Sequence, residues 1–340
     1  MKLINTRDAV GHVLCHDLTR IVPGQFKGAA FRKGHVVRPE DVELLLDMGK
    51  EHLYVWEMTP GMMHEDEAAQ VLRSLAQGEH MAACEPVEGK IELTAQEDGL
   101  FTVDVKALRR VNSLGEMMIA TRLSHTPVKK GDKLAGMRVI PLVIGKEKME
   151  KAKKAAGESP LLALHPYQKL RVGVVTTGGE VAGGRIQDGF TPVLLRKLEE
   201  YGSQVCWHAM PGDDSQKITG AIRDMLSQGA QMVLCTGGMS VDPDDRTPLA
   251  IKNATDTVVS YGAPVLPGAM FMLAYAQGVP VLGLPGCVMY ARRTIFDLVL
   301  PRLLAGLGVT QEELAGLGHG GLCLNCEPCI FPNCGFGRGV

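Results

Sequence analysis

Short apolar runs alternate with amphipathic stretches over residues 171–308, and this pattern predicts strands that alternate with helices. In the stretch 215–229, for example, Ile218, Ile222 and Met225 fall on one helical face. Alternating strands and helices predict right-handed βαβ units around a parallel sheet. The predicted strands lie at 171–177, 203–210, 231–238 and 279–286, and the predicted helices at 191–202, 215–229 and 291–308.

The first 145 residues follow a different pattern, with one predicted helix and several β-like runs. The helix spans 42–49, and the runs lie at 52–57, 90–95, 99–105 and 137–144. A charged, Ala-rich helix begins at residue 146 and leads to a proline-containing connection. We therefore predict an α+β N-terminal domain at 1–145, a linker helix at 146–169, an α/β domain at 170–305 and a Gly/Cys-rich tail at 306–340.

Charge and composition narrow the possible functions of the 340-residue chain. Lys plus Arg number 36 against 38 for Asp plus Glu, so the chain lacks the basic field that general nucleic-acid binding needs. Every apolar run is interrupted well before the ~20 residues of a membrane span, and the N-terminus has no apolar signal core. We expect a cytoplasmic protein with neither nucleic acid nor membrane as a partner.

Glycines and carboxylates follow each predicted strand of the α/β domain, in TTGGEV (176–181), PGDDS (211–215), TGGMSVDPDDRTP (236–248) and LPGCV (284–288). Ligands of parallel sheets bind at this end of the strands. The backbone amides of glycine can bind anionic oxygens, whereas carboxylates alone would repel them. A Mg²⁺ ion between the carboxylates and the anion would remove this repulsion. Asp214 suits the N-cap of the following helix, which leaves Asp213 for a ligand.

These loops resemble those of a known family. TTGGEV is similar to a TGDEL loop, TGGMSVDPDD to GGVSVGDYD, and PDDRTP to PRDVTP. GAPVLPG (262–268) and GLPGCV (283–288) are similar to KPGKP and GLPGNPVS. Together they resemble the molybdopterin-binding domain that molybdopterin molybdenumtransferases share with molybdopterin adenylyltransferases. AVGHVLCHDL and FRKGHVVRPEDVELL resemble the N-terminal region of the transferases more weakly.

The resemblance implies a fold and an activity. The fold is α/β: a parallel-sheet molybdopterin-binding domain with a smaller α+β N-terminal domain and a Cys-rich tail. The implied activity is Mg²⁺-dependent insertion of molybdate into adenylylated molybdopterin, with release of AMP. The protein would then be a transferase of molybdenum cofactor biosynthesis, and we expect it to form homo-oligomers. Two alternatives stay open: a non-catalytic carrier that delivers molybdopterin to a molybdoenzyme, and an adenylyltransferase step.

By the same resemblance, individual positions receive roles. The catalytic candidates, which hold Mg²⁺ or molybdate, are Glu180, Asp213 and Asp245. The candidates for binding the molybdopterin cofactor are Thr177, Gly178, Gly179, Gly237, Gly238, Ser240, Asp242, Asp244, Pro285 and Gly286. The chain departs from the family where two lysines become Leu266 and Ala269 and an asparagine becomes Cys287.

The tail carries a second signal, four cysteines spaced C-x2-C-x2-C-x4-C. Thiols so close in a glycine-rich segment predict a metal site, because such a segment cannot build a core of its own. The spacing resembles that of ferredoxin-type iron–sulfur proteins, and a four-cysteine zinc site is the alternative. The predicted metal ligands are Cys323, Cys326, Cys329 and Cys334.

Overall fold

The computed structural model describes residues 2–22, 26–55, 60–243 and 245–338. The chain forms two compact units. The first unit comprises residues 1–96, 103–122 and 131–163, and the second comprises 97–102, 123–130 and 164–340.

Up to residue 156, the described residues form short strands and four helices besides a 3-10 turn at Thr6–Asp8. In chain order these elements are β1 (Lys2–Asn5), β2 (Leu18–Val22), β3 (Phe26–Phe31), α1 (Asp41–Asp47), β4 (His52–Val55), β5 (Met62–His64), α2 (Glu65–Ala76), β6 (Met81–Ala83), β7 (Lys90–Ala95), β8 (Gly99–Val103), α3 (Val105–Asn112), β9 (Met117–Thr121), β10 (Thr126–Val128), β11 (Lys133–Val139), β12 (Val143–Gly145) and α4 (Lys146–Ala156).

The main sheet of the first unit is antiparallel, in the order β6-β7-β11-β9. Alternate residues of β7 are buried, and Leu72 and its neighbours on α2 cover the sheet. The expectation of a single helix before residue 145 was wrong, because α1, α2 and α3 all form there. The run at 99–105 ends as a strand at Val103, since the Asp104 side chain accepts a hydrogen bond from Ala107 N at 2.8 Å and begins α3.

The second unit is built around strands that alternate with helices as predicted. Its later elements are β13 (Leu162–Pro166), β14 (Arg171–Thr176), α5 (Gly179–Ala182), α6 (Thr191–Glu199), β15 (Gln204–Ala209), α7 (Ser215–Ser227), β16 (Met232–Thr236), α8 (Thr247–Ala254), β17 (Thr257–Tyr261), β18 (Met272–Ala276), β19 (Val279–Leu284), a 3-10 turn at Gly286–Met289, α9 (Ile295–Leu304) and α10 (Gln311–Gly316).

The six-stranded sheet of this unit has the order β15-β14-β16-β19-β18-β17. Strands β15, β14, β16 and β19 are parallel, which confirms the predicted α/β class. The last two strands are antiparallel and were not predicted. MLAYA contains several helix-forming residues, which obscures its strand. TVVSY is typical of a strand through its β-branched residues, and the sequence prediction omitted it.

Both faces of the six-stranded sheet are covered, so its central strands are buried almost throughout. Val172 and Val174 pack on one face with α6 and α9, whereas Val175 packs on the other with α7 and α8. This double burial explains why the strands read as continuous apolar runs. No helix among the described residues is both long and apolar enough to cross a membrane.

Candidate functional site

The carboxyl ends of the four parallel strands lie along one edge of the sheet. Thr176 at the end of β14 is in register with Thr236 at the end of β16, and Thr236 is in register with Leu284 of β19. The loops that carry the predicted site residues therefore leave the sheet side by side, as the sequence predicted.

The loop after β14 contacts the loop after β16 at two positions, Gly237 and Gly238, where only glycine fits. We call this contact the glycine joint. Thr177 N and Oγ1 donate to Thr236 O at 2.8 and 3.1 Å, and Thr177 Oγ1 shares a hydrogen bond with Thr247 Oγ1 at 3.1 Å. A β-carbon on Gly237 would lie 2.5 Å from Thr177 O, and one on Gly238 would lie 2.9 Å from Thr247 Oγ1. Both glycines have positive φ, 81° and 54°.

The two carboxylates of the PGDDS loop have different roles. Asp213 Oδ2 accepts a hydrogen bond from Gly179 N at 2.6 Å, which joins the loops after β15 and β14. Asp214 Oδ1 accepts from Gln216 N and Lys217 N at 2.9 and 3.1 Å, as the N-cap of α7. The structure confirms Asp214 as the N-cap. Asp213 contacts the neighbouring loop, and its role as a ligand stays a prediction.

Asp245 lies beside the glycine joint. Its Oδ1 would be 3.6 Å from a β-carbon on Gly238, and its Oδ2 accepts from Asp242 N at 3.2 Å. Tyr261, which the sequence analysis missed, anchors the same loop by donating to Met239 O at 3.0 Å. Burial, and then the charge of Asp245, raise the pKa of Tyr261, so the hydroxyl stays protonated and can donate. Ser240 is exposed beside this anchor, and its carbonyl accepts from Tyr261 at 3.4 Å.

A group of polar side chains around His208, which the sequence did not predict, lies at the end of β14. His208 Nε2 lies 3.0 Å from Thr176 Oγ1 and 3.5 Å from Asp188 Oδ2. Burial opposes ionisation of Asp188, yet hydrogen bonds from Thr191, Phe190 and Thr176 outweigh it and lower its pKa. Asp188 is therefore charged at neutral pH. No spacing in the sequence connects residue 208 with residue 188, so only the parallel pairing of β14 and β15 shows the contact.

The loop after β19 begins at Pro285 and forms the 3-10 turn that contains Gly286 and Cys287. Cys287 is half-buried, and burial raises the pKa of its thiol. The group is consequently a neutral thiol at physiological pH, unlike the thiolate that a soft metal binds.

Most of the predicted cofactor residues share this edge of the sheet. Thr177, Gly178 and Gly179 lie after β14, Gly237 and Gly238 after β16, and Pro285 and Gly286 after β19. Asp244 and the side chain of Glu180 lie outside the part of the chain that the structure describes.

The carboxylate oxygens available at these loops decide whether Mg²⁺ could bind there. Asp213 and Asp245 each use one oxygen for a backbone amide. Within residues 2–22, 26–55, 60–243 and 245–338, no three His, Cys, Asp or Glu side chains are arranged to hold an ion. Mg²⁺ commonly binds through one or two carboxylates together with substrate phosphates, so the remaining oxygen of either residue is the type of donor that such an ion takes.

The four tail cysteines lie together, away from these loops in sequence, and line one cleft with Arg293. All four are free thiols.

Comparison with known proteins gives two family matches. Residues 173–305 match the family described as a probable molybdopterin binding domain, and residues 3–57 match a domain of unknown function, DUF8806. The first match begins within β14 and ends just after α9, so it spans every loop of the site.

Individual relatives are more distant. A molybdopterin molybdenumtransferase of Synechococcus elongatus is 28% identical over 181 residues, covering 50% of this chain and 42% of the relative. One of Staphylococcus epidermidis is 22% identical over 308 residues, covering 83% and 66%. The chain thus spans less than two thirds of the length of either. Among solved structures, the molybdopterin biosynthesis enzyme MoaB of Thermus thermophilus is 24% identical with a TM-score of 0.36, covering 40% of this chain and 97% of that one.

The resemblance predicted from the loop motifs is confirmed by the family match over residues 173–305. This part of the chain is similar in sequence to the family of probable molybdopterin binding domains.

Proposed function

We propose that the chain acts in molybdenum cofactor biosynthesis and that its strand-end loops bind the phosphate of molybdopterin. One observation carries the proposal: the glycine joint at Gly237 and Gly238, with Asp245 on the same loop and Asp213 on the loop after β15. Glycine lets backbone amides approach anionic oxygens closely. The family match and the names of the two relatives support the same assignment.

The reaction we propose is Mg²⁺-dependent insertion of molybdate into adenylylated molybdopterin with release of AMP. Asp213 and Asp245 would hold the ion, which supplies charge neutralisation at the phosphoanhydride when it is bound. Phosphoryl chemistry of this kind needs positioning and electrostatic stabilisation more than a strong base. The hydrogen bonds from Gly179 N and Asp242 N fix the two carboxylates in place.

The alternative function is a carrier that binds molybdopterin and passes it to a molybdoenzyme. Leu266 and Ala269 favour it, because the family resemblance places lysines at these positions. Leu266 is 56% exposed, and its backbone hydrogen-bonds with the tail at Gly321 and Cys323. A phosphate or molybdate near this segment would meet an apolar side chain without a cationic partner.

AMP release separates the two functions. Purified full-length protein is incubated with adenylylated molybdopterin, Mg²⁺ and molybdate, and AMP is quantified over time. The transferase assignment expects turnover that Asp245→Asn lowers by at least ~10²-fold, the usual scale for losing one preorganised electrostatic contact. Asp214→Asn is the matched control, because asparagine is also a good N-cap and the rate should be preserved. Tight binding of the substrate without any AMP would favour the carrier.

A further inference from the structure

The cysteine-rich end of the chain forms a loop whose base is fixed. Gly337 N donates to Gly320 O at 2.9 Å and closes the loop. Leu266 N donates to Gly321 O, and Cys323 N donates to Leu266 O, both at 2.8 Å. Phe336, only 4% exposed, packs in the core of the second unit. The body of the protein therefore holds residues 320–323 and 336–337, between which the rest of the loop extends.

The four thiols lie inside this loop and face one cleft. Cys323, Cys326, Cys329 and Cys334 line the same cavity, which has a volume of about 260 Å³. Its other walls are mostly apolar and include Leu322, Leu324, Ile330 and Phe331. Cys326 and Cys329 are exposed, whereas Cys323 and Cys334 are partly buried. Thiols beside apolar side chains resemble the surroundings of thiolate–metal centres, in which a hydrophobic shell controls the access of water.

Backbone hydrogen bonds contribute little to the order of the loop tip, whose contacts with the rest of the protein are mainly through side chains. Glu327 pairs with Arg292 at 2.6 Å, and Phe331 packs against the core below Arg293. Leu324 is 76% exposed and Ile330 is 54% exposed. Within residues 324–333, all of them described, one backbone–backbone hydrogen bond forms, from Asn333 N to Ile330 O at 2.8 Å. A segment with so few backbone hydrogen bonds gains order from any further interaction that joins its residues, because each ordered residue costs conformational entropy.

We propose that this loop is a metal site in which all four cysteines are ligands. Thiolates select iron–sulfur clusters or zinc among biological metals, and the C-x2-C-x2-C-x4-C spacing brings four of them within one closed loop. The residues that line this cleft include none of those proposed to bind molybdopterin. Metal binding would supply folding free energy to the loop.

As placed, the four thiols line the cleft without meeting at a common point, since no three potential ligands of the described chain are arranged to hold an ion. Rotation about χ1 carries a cysteine sulfur between staggered positions while the backbone stays in place. The sparse hydrogen bonding of residues 324–333 leaves the tip free to adjust. A bound metal would draw the thiolates together and close the cleft.

Metal analysis of the full-length protein tests the proposal. Protein purified anaerobically under reducing conditions is assayed for iron, acid-labile sulfide and zinc. We expect about one centre per chain: iron with sulfide identifies a cluster, and zinc without sulfide identifies a structural ion. Either result supports the site. The absence of both metals would overturn it. So would disulfides between the four cysteines that persist in protein purified under these reducing conditions.

A paired substitution assigns the metal to this loop. Cys326→Ser with Cys329→Ser should remove nearly all of the metal and render the loop sensitive to protease. The matched control, Cys84→Ser with Cys206→Ser, removes two exposed thiols elsewhere and should retain it. Equal metal loss in both pairs, or retention in both, would show that the tail thiols are not the ligands. Because metal content is measured without molybdopterin, failure here is distinguishable from failure of the proposed function.

Discussion

At the level of single residues, the glycine joint requires that position 238 has no side chain. Gly238 has φ 54°, and a β-carbon there would lie 2.9 Å from Thr247 Oγ1. The side chains of Thr177 and Asp245 lie around the same position. An alanine would therefore meet both an unfavourable backbone conformation and a close contact.

We predict that Gly238→Ala lowers the free energy of unfolding by about 1–3 kcal/mol, from left-handed backbone strain and the contact with Thr247. Gly220→Ala is the matched control, because Gly220 lies within α7 and has open space around it. That change should stabilise the protein by about 0.5–1 kcal/mol. Urea denaturation measures both. Equal stability of the two variants would show that the joint is not constrained.

A few residues of the site could be predicted from the sequence because glycine and aspartate have few alternative uses in such loops. Asp214 was identified as a cap because it directly precedes an amphipathic run, and the same position left Asp213 for another contact. His208 and Tyr261 could not be found this way. Each contacts a residue that is distant in sequence, His208 with Thr176 and Tyr261 with Met239, so only the folded arrangement of the strands shows these contacts.

At the scale of elements, α6 and α9 are joined by a buried ion pair. Lys197 and Asp297 are 8% and 5% exposed, and Lys197 Nζ lies 2.5 Å from Asp297 Oδ1. Asp297 also binds Arg293 at 2.9 Å and accepts from Thr294 N at 2.8 Å, completing a capping box that begins α9. This cap explains why α9 begins at Ile295, later than the predicted residue 291.

Asp297→Ala should destabilise the protein by about 3–5 kcal/mol, because it leaves a buried ammonium group without its counter-ion. Asp224→Ala on the exposed face of α7 is the control and should change stability by no more than about 0.5 kcal/mol. The double variant Lys197→Met, Asp297→Leu should recover part of the loss, since it removes the buried ammonium group. The rest should remain, because Arg293 and the N-terminus of α9 still lose the carboxylate. If Asp297→Ala unfolds at the wild-type urea concentration, the pair contributes nothing to stability.

The alternation of apolar and amphipathic segments was sufficient to predict the parallel part of the sheet, since doubly buried strands are apolar throughout. It was insufficient for β17 and β18. These strands lie on the antiparallel side of the sheet. No helix separates β17 from β18 or β18 from β19, so the βαβ pattern is missing there. In the first unit, short strands of three to seven residues carry too little pattern to fix their pairing.

At the scale of the whole molecule, stability of the second unit should depend on pH through His125. Burial, then the charges of Arg302 and Arg338 against an opposing Glu313, lower its pKa from 6.5 to about 4. The unfolded chain therefore binds a proton that the folded chain does not between about pH 6.5 and 4. Stability is fully present above pH 6.5 and is lost as the pH falls through this window.

His125→Asn removes this titration, and asparagine tolerates the φ of 55° at this position. We predict that the loss of unfolding free energy between pH 7 and 5 becomes smaller than in the wild type, where one such group contributes at most about 1.4 kcal/mol per pH unit. His165, whose pKa burial also lowers, leaves some dependence in the variant. Exposed His12→Asn should keep the full dependence. Identical pH profiles for His125→Asn and wild type would refute the assignment.

The central claim is that Asp245 helps to hold Mg²⁺ between the strand-end loops and the phosphate of molybdopterin. Equilibrium binding of molybdopterin to the full-length protein, with Mg²⁺ and with EDTA, tests it in a transferase and in a carrier alike. In the wild type, Mg²⁺ should tighten binding by about tenfold or more, the equivalent of ~1.4 kcal/mol. In Asp245→Asn this gain should disappear, and in EDTA the variant should bind at least as tightly as the wild type, because one charge that repels the phosphate is gone. Equal Mg²⁺ dependence in the two proteins would contradict the claim.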